Sequence, residues 1–328
     1  MSYLQAFLIS LVVTVLLGRA LIPLLRRLKA GQSIKRDGPV WHMSKEGTPT
    51  MGGIMFIAGM LIAVVITAFP RFRDGNWSAL AMLALSFIYG AIGFFDDYMK
   101  VRHHANEGLK AGQKFILQLA VAVAFVMLLR YLGFLSPNLY VPFFGVTWPL
   151  PEAVYVIFAA FVIVGTVNSV NLTDGVDGLV TGVTLPVAVC FFGLAAVWKM
   201  ESQAIFAAAL TAGLIGFLIF NFHPAKVFMG DTGSLFLGGA VCALAFALDM
   251  PLVLVPLGLV YICETLSDIL QVLYFKLTHG KRIFKMAPIH HHFEKCGWSE
   301  IKVFAVFSGV SLVMAAVTFF CVRSRYGL

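Results

Sequence analysis

Long apolar stretches separated by short polar segments run through the whole chain. A membrane-spanning helix needs about 20 predominantly apolar residues, and ten stretches are close to that length. Their predicted bounds are 5–25, 52–69, 79–95, 115–135, 152–168, 179–198, 204–221, 234–248, 252–275 and 302–322. The pattern predicts an all-α, polytopic integral membrane protein, in which residues 1–328 form a single transmembrane domain.

Composition supports this class. The chain is 60% apolar and only 12% charged, whereas a soluble domain has about 25% charged residues. Most of the surface must therefore contact lipid. The five cysteines show neither the pattern of a disulfide framework nor the spacing of a metal site.

The distribution of basic residues predicts the orientation. Of the 24 Lys and Arg residues, 16 lie in alternate loops. Because an excess of Lys and Arg marks cytoplasmic loops, we expect these loops inside and both termini outside. The net charge of +8 then reflects topology and contact with anionic lipid, and no nucleic-acid partner is expected.

The same loops contain the unusual polar motifs. Three predicted helix starts are rich in glycine and polar residues, at 48–53, 174–178 and 230–234. Helix N-termini with glycine neighbours allow the backbone to approach a phosphate closely. Three of them at one membrane face predict a diphosphate site.

Asp96 and Asp97 end the third apolar segment. Adjacent carboxylates repel, and a divalent cation, a proton or a cationic neighbour relieves the repulsion. Lys100 would lie beside them if the helix continued. The pair suits phosphoryl transfer with Mg²⁺, and the alternative is a solvated helix end.

Polar residues recur every third position at Asn168, Asn171, Asp174 and Asp177. We expect them to line one side of a loop that binds a cation or a nucleoside. Asp231, at the predicted start of the eighth helix, is either an N-cap or a ligand of Mg²⁺.

Two further sets offer substrate contacts. Asn221, His223 and Phe228 provide an amide, an imidazole and an aromatic ring that together could hold a nucleobase. The consecutive residues 290–292 are histidines that cannot all share one face. At least one is expected at the active site and one in a structural role, with phosphate binding favoured over Zn²⁺ and over a solvated run.

A rival interpretation is a cation-coupled transporter. Glu264, Asp268 and Gln271 share one face of the ninth segment, and acids inside spans are typical of transport pathways. Most of the unusual acids, however, lie at span ends, which favours an interfacial enzyme. On that view Asp231→Asn removes activity, whereas Glu264→Gln leaves most of it.

Together these motifs resemble the polyprenyl-phosphate/UDP-sugar phosphotransferases. The resemblance is carried by 45–53, 96–100, 171–175, 228–231 and 287–294. It implies that undecaprenyl phosphate attacks the β-phosphate of UDP-N-acetylmuramoyl-pentapeptide, giving lipid I and UMP at the inner face of a bacterial cytoplasmic membrane with Mg²⁺. The histidine run favours this donor over UDP-N-acetylglucosamine, the alternative donor of sibling enzymes.

The resemblance also implies residue roles. Asp231 would ligate Mg²⁺, Asp96 and Asp97 would serve the prenyl phosphate with Asp97 as its base, and Asp174 would lie near the metal. Substrate contacts are implied for Lys45, Thr50, Lys100, Lys114, Asn168, Asn171, Asp177, Asn221, Phe228, His290, His291 and His292. Direct attack is favoured over an aspartyl-phosphate intermediate, because the lipid phosphate is itself a nucleophile.

Three structural features are implied as well: a break in the ninth helix, an outer hairpin near Leu139–Leu150, and a homodimer. Asp268 departs from the family pattern, since relatives usually carry an apolar residue there.

Overall fold

The computed structural model describes residues 2–27, 45, 47–103 and 108–326. Part of the first basic loop, at 28–44, and Glu46 of the 45–53 motif therefore lie outside the described residues. Within the described part, nine helices are long and apolar enough to cross a membrane, and a bent helix pair forms a tenth candidate span.

The long helices are α1 (Ser2–Arg27), α2 (Gly53–Arg73), α3 (Ser78–His103), α4 (Ala111–Tyr131), α5 (Glu152–Thr173), α6 (Leu179–Val197), α7 (Glu201–Asn221), α8 (Gly230–Ala247) and α12 (Glu300–Val322). The bent pair comprises the short α9 (Leu254–Leu257), preceded by a 3₁₀ turn at Pro251–Val253, and α10 (Leu259–Leu277). A seven-residue helix, α11 (Ile289–Lys295), precedes α12. The all-α, multi-pass prediction is confirmed.

The core is built around α7 and α8, whose residues are mostly buried. By contrast, α1, α4 and α12 bury only a minor part of their surface and direct apolar side chains such as Leu16, Ile116 and Val313 outward. An apolar exterior of this kind is stable only in lipid. The buried helices α7 and α8 therefore form the centre of the bundle, and α1, α4 and α12 direct much of their surface to lipid.

Helix α5 extends beyond the predicted end at 168. Its polar side chains bond back to the carbonyl oxygens four residues earlier: Ser169 Oγ to Gly165 O and Thr173 Oγ1 to Ser169 O, both at 2.8 Å. Because these groups are satisfied within the helix, polarity does not end it. The added turns bring Asn171 to the site.

The break predicted in the ninth segment is present. Helices α9 and α10 meet at Gly258 with a bend of 80°. Pro256 lies two residues before the bend, within the four-residue α9. The predicted hairpin is also present, as strands β1 (Asn138–Val141) and β2 (Val146–Pro149), which pair antiparallel with Leu139 opposite Trp148.

The two ends of the bundle differ. Helices α2, α4, α6, α8 and α12 all begin at one end, where the acidic clusters lie. The other end carries the hairpin and a cavity of about 590 Å³ between the end of α2, the start of α7 and Asp249. This cavity is remote from the polar motifs and contains none of the predicted site residues.

Candidate active site

The site is organised around the first turn of α8, which begins at Gly230 with a positive φ of 72°. The carboxylate of Asp97, from α3, caps this turn. It accepts hydrogen bonds from the backbone N–H groups of Asp231 (3.2 Å) and Thr232 (2.9 Å) and from the Thr232 hydroxyl (2.7 Å). A negative group is favoured at this end of a helix, so Asp97 fixes α3 to α8.

Glycines allow the helices to meet this closely. A Cβ added to Gly93 of α3 would lie 2.0 Å from the carbonyl oxygen of Asp231, and one added to Gly53 of α2 would lie 2.3 Å from the Cα of Gly233. A Cβ on Gly230 would lie 2.5 Å from Asp97 Oδ2. Any larger residue would therefore separate the three helices at the site.

Because Asp97 supplies the cap, the carboxylate of Asp231 is left to other partners. Its Oδ2 lies 2.7 Å from Lys114 Nζ and 3.0 Å from Lys100 Nζ, and its Oδ1 accepts from the Asn171 amide at 2.9 Å. The N-cap interpretation of Asp231 is therefore wrong. The residue presents its charge to the interior of the site.

Asp96 completes the cluster. Its Oδ2 lies 2.5 Å from Lys100 Nζ, and its Oδ1 accepts from the backbone N–H of Leu109 at 2.9 Å. Since α3 continues to His103, Lys100 stands one turn beyond Asp96 on the same face, as the sequence predicted. One lysine thus joins Asp96 to Asp231.

Oxygens of Asp96, Asp97 and Asp231 all lie within 4.8 Å of one another. Two lysines face these three acids, with Asp174 as a fourth acid nearby. If all four acids are ionised the centre retains a net negative charge. Hard carboxylate oxygens are the ligands that Mg²⁺ prefers, so the donor set and the charge both fit a divalent cation.

Asp174 follows the last residue of α5 and is half-buried. Desolvation, followed by repulsion from Asp231, Asp97 and Asp177, raises its pKa well above the usual range. No side-chain hydrogen bond of Asp174 is found with the described residues. A carboxylate in this environment gains most from a bound cation or a donated hydrogen bond.

A second cluster lies beside the first. Lys45 Nζ contacts both Asp177 Oδ1 (2.7 Å) and Glu300 Oε2 (2.6 Å). His223 Nδ1 lies 3.0 Å from Asp177 Oδ2, and the backbone N–H of Ala225 donates to the same oxygen at 3.0 Å. Because the Lys45 ammonium balances one of the two carboxylates and His223 adjoins them, this cluster is an ion network with less need of a metal.

The single face predicted for 168, 171, 174 and 177 is wrong. Asn171 reaches the Asp231 carboxylate, whereas Asn168 donates to Gln118 Oε1 at 2.6 Å, and Asp177 belongs to the second cluster. Asn168 and Asn171 both lie on α5, which ends at Thr173, so the main departure is at Asp177. The turn at 174–178 then redirects the chain, which sequence periodicity does not indicate.

Two of the predicted nucleobase residues have different surroundings. Asn221 is 2% exposed, and its amide is used by Thr181 (3.1 Å) and by the carbonyl oxygen of Val227 (3.0 Å). It therefore supports the 222–228 loop instead of facing open space. Phe228 remains half-buried, with its backbone bonded to Pro49 and Gly52.

Thr50 also lies at the site. It is buried, and its hydroxyl oxygen lies within 3 Å of the position that a Cβ on Gly230 would occupy.

The three consecutive histidines have different surroundings, and their division between site and structural roles stays a prediction. His290 is 1% exposed and its ring lies against Gly175. His291 Nδ1 lies 2.7 Å from Glu294 Oε2, within α11. His292 accepts from the backbone N–H of Lys285 at 3.1 Å and so holds the preceding loop.

Sequence reasoning missed Glu300 as a site residue and considered Glu264 only as support for the rival transporter interpretation. Glu300 looked like an ordinary first-turn acid after the N-cap Ser299. Glu264 is fully buried and contacts His290 at 2.9 Å. The sequence signal that could have identified its role is its position inside an apolar span. Burying an acid in the membrane costs free energy and therefore implies a polar partner nearby.

Fold and site together define a class. The protein is a multi-pass membrane protein with an acidic centre, paired in part with two lysines, at one end of its helix bundle. Such a centre is suited to phosphate chemistry. Comparisons with known proteins agree. Residues 79–249 match the model for glycosyl transferase family 4, and residues 45–57 match signature 1 of the phospho-N-acetylmuramoyl-pentapeptide-transferases.

Relatives along nearly the whole chain make the assignment specific. The phospho-N-acetylmuramoyl-pentapeptide-transferase of Clostridium acetobutylicum is 46% identical, covering 95% of this chain and 96% of the relative. That of Heliobacterium modesticaldum is 48% identical over 94% of each, and that of Clostridium perfringens strain 13 is 48% identical over 96% and 97%. The chain therefore belongs to the phospho-N-acetylmuramoyl-pentapeptide-transferase family.

Proposed function

We propose that the protein transfers phospho-N-acetylmuramoyl-pentapeptide from its UDP donor to undecaprenyl phosphate, giving lipid I and UMP, the first membrane step of peptidoglycan synthesis. One observation carries the proposal: Asp231 is held by Lys100 and Lys114 beside Asp96 and Asp97 at the end of a membrane bundle. A soluble nucleotide-sugar and a lipid phosphate can both reach such a boundary. The site is proposed to face the cytoplasm of a bacterial cell, at the inner membrane.

The proposed Mg²⁺ ligand is Asp231, supported by Asp96 and Asp97. When bound, Mg²⁺ would neutralise negative charge on the diphosphate and on the UMP leaving group. Lys100 and Lys114, now paired with Asp231, are positioned to exchange that partner for phosphate oxygens. Because these positive charges are in place before the substrates bind, they can stabilise the transition state of phosphoryl transfer without rearranging.

The proposed reaction is a direct displacement. An oxygen of undecaprenyl phosphate forms a new bond to the β-phosphorus, and the bond from that phosphorus to the bridging oxygen breaks, so UMP leaves with the oxygen. A phosphate monoester has a second pKa of about 6, so the nucleophile is largely ionised at neutral pH. No aspartyl intermediate is needed.

Because the lipid phosphate is already largely ionised, Asp97 is not needed as a base to remove its proton. Its two oxygens accept three hydrogen bonds from the start of α8. We therefore assign Asp97 primarily to holding Asp231 in position, with Asp96 and Lys100 beside the lipid phosphate. Asp174, whose pKa is raised, lies between the two clusters and is assigned to the diphosphate.

The second cluster is the proposed uridine side of the donor site. Lys45, Asp177 and His223 offer a cation, a carboxylate and an imidazole, and Phe228 offers a ring on the adjoining loop. His291 and His292 would lie toward the sugar. The homodimer implied by the family resemblance remains a prediction, which light scattering in detergent tests.

The experiment is a UMP-exchange assay in detergent. Protein, undecaprenyl phosphate, UDP-N-acetylmuramoyl-pentapeptide and Mg²⁺ should exchange labelled UMP into the donor, and Asp231→Asn should not. Exchange with UDP-N-acetylglucosamine instead would identify a sibling activity, and cation-driven uptake by proteoliposomes without exchange would identify a transporter.

A further inference from the structure

A buried acid–imidazole pair adjoins the site but has no role in the mechanism above. Glu264 Oε2 lies 2.9 Å from His290 Nδ1 and 3.4 Å from the backbone N–H of His290. The two residues are 0% and 1% exposed. Burying a carboxylate is costly unless it is paired, and within the described residues His290 is the only hydrogen-bond partner of this carboxylate.

The fold brings the pair together from two distant segments. The bend at Gly258 redirects α10, so that Glu264 lies beneath the loop that carries α11. Gln271, on the same face of α10, binds that loop as well, accepting from the backbone N–H groups of Ile283 and Phe284. Glu264 and Gln271 therefore both support the segment that leads into α11, and this structural use counts against an ion-transport role for Glu264.

Each member of the pair has one buried polar atom without a partner in the described part of the chain: Glu264 Oε1 and His290 Nε2. The imidazole nitrogen is directed at the Asp174–Gly175 turn. A Cβ added to Gly175 would lie 2.2 Å from Nε2. The unpartnered nitrogen thus lies against the turn that carries an essential acid of the proposed mechanism.

A carboxylate that accepts from one ring nitrogen fixes the orientation and the tautomer of an imidazole, and so determines what the other nitrogen offers. We propose that Glu264 is a positioning residue, which holds His290 through Nδ1 so that Nε2 faces the diphosphate-sugar at the Asp174 turn. The inference rests on the proposed function for the identity of that ligand. It also revises the sequence-based prediction that Glu264→Gln leaves most activity.

Kinetics provide the first test. Loss of an orienting partner typically costs about 10–100-fold, so Glu264→Gln should lower kcat by that factor, and Glu264→Asp should recover part of it. Asp268→Asn is the matched control, because Asp268 lies one turn along the same helix and makes no hydrogen bond or ion pair with the described residues. Its kcat should equal that of the unmodified protein.

A double-mutant cycle then separates positioning from general structure. If Glu264 acts through His290, Glu264→Gln adds little to the loss caused by His290→Asn, whereas independent effects multiply. Multiplying losses, or an unchanged kcat in Glu264→Gln, would overturn the inference.

Nitrogen NMR of imidazole-labelled protein gives a readout that does not depend on turnover. The His290 signals, assigned by their loss in His290→Asn, should show a protonated Nδ1 that changes in Glu264→Gln and not in Asp268→Asn. Unchanged signals in Glu264→Gln would refute the pairing. Absence of transfer by the unmodified protein would instead refute the proposed function, and this spectrum would still decide the positioning claim.

Discussion

The crossing of α3 and α8 at Gly93 leaves no room for a Cβ beside the Asp231 backbone, and Gly93→Ala tests the importance of this contact. The added Cβ would lie 2.0 Å from the Asp231 carbonyl oxygen, 2.4 Å from its carbonyl carbon and 2.7 Å from the Thr232 nitrogen. Ordinary contact needs roughly 3.5 Å. Because these are backbone atoms, no side-chain rotation relieves the clash, and α3 and α8 must separate by about 1 Å or more.

This separation would disrupt the hydrogen bonds of 2.7–3.2 Å that the Asp97 carboxylate accepts from the first turn of α8. Displacement of a reacting group by about 1 Å can cost roughly 100-fold in rate. Overpacking typically costs about 1–3 kcal/mol of stability. We therefore expect Gly93→Ala to fold with a lowered Tm and to lose about two orders of magnitude in kcat per folded molecule.

Two alanine variants provide controls in the UMP-exchange assay and in thermal unfolding. At Gly165 an added Cβ meets nothing within 4 Å, so Gly165→Ala should retain activity and stability. At Gly238 it would lie 2.6 Å from the Cα of Val167, deeper along α8. Gly238→Ala should lower Tm while keeping more activity than Gly93→Ala. Normal kcat in Gly93→Ala would refute the claim that this crossing positions Asp231.

Three further predictions follow from individual contacts. Asp231→Asn should abolish exchange at any Mg²⁺ concentration. In the unmodified protein, exchange lost on chelation of Mg²⁺ should return when the ion is added back. Residual Mg²⁺-dependent turnover in Asp231→Asn would contradict the ligand assignment. Lys45→Gln should raise KM for the UDP donor by about 10–100-fold and leave KM for the lipid unchanged, because a hydrogen bond to a charged group contributes roughly 1.5–3 kcal/mol. An increase in KM for the lipid alone would assign this cluster to the lipid substrate. Asp249→Asn should become progressively more stable than the unmodified protein as pH rises. Burial, despite hydrogen bonds from Ser136 and the charge of Arg325, raises the pKa of Asp249. An aspartate whose pKa is raised in the folded state contributes most to stability below its unfolded pKa of about 3.9. The unmodified protein loses this contribution as pH rises through the folded pKa, whereas the asparagine variant does not titrate. A Tm difference between the two proteins that does not vary with pH would contradict this.

The sequence predicted the spans well because apolar length alone specifies them. It predicted the position of Lys100 for a similar reason, since a continuing helix places residues four apart on one face. It failed at Asp177, because a turn of five residues redirects the chain and periodicity does not report such a change. It left two roles open for Asp231, because a polar residue at a helix start has the same pattern whether it caps the helix or faces substrate. For the same reason it did not predict that the Asn221 amide bonds to Thr181 and Val227.

Residues far apart in the chain were the hardest to connect. Asp97 caps a helix that begins at Gly230, and Glu264 binds a histidine 26 positions later. Neither pairing follows from local pattern, since each depends on how helices cross. The cost of buried charge still gave a usable warning: every acid predicted at a span end or within a span, apart from Asp174 and Asp268, has an ionic or hydrogen-bonding partner among the described residues.

The most direct test of the central claim is the exchange of labelled UMP into UDP-N-acetylmuramoyl-pentapeptide by purified protein with undecaprenyl phosphate, with and without Mg²⁺. The account predicts exchange that requires both Mg²⁺ and the lipid phosphate and that disappears in Asp231→Asn. Exchange without lipid would contradict direct displacement, and undiminished exchange in Asp231→Asn would contradict the acidic centre as the active site.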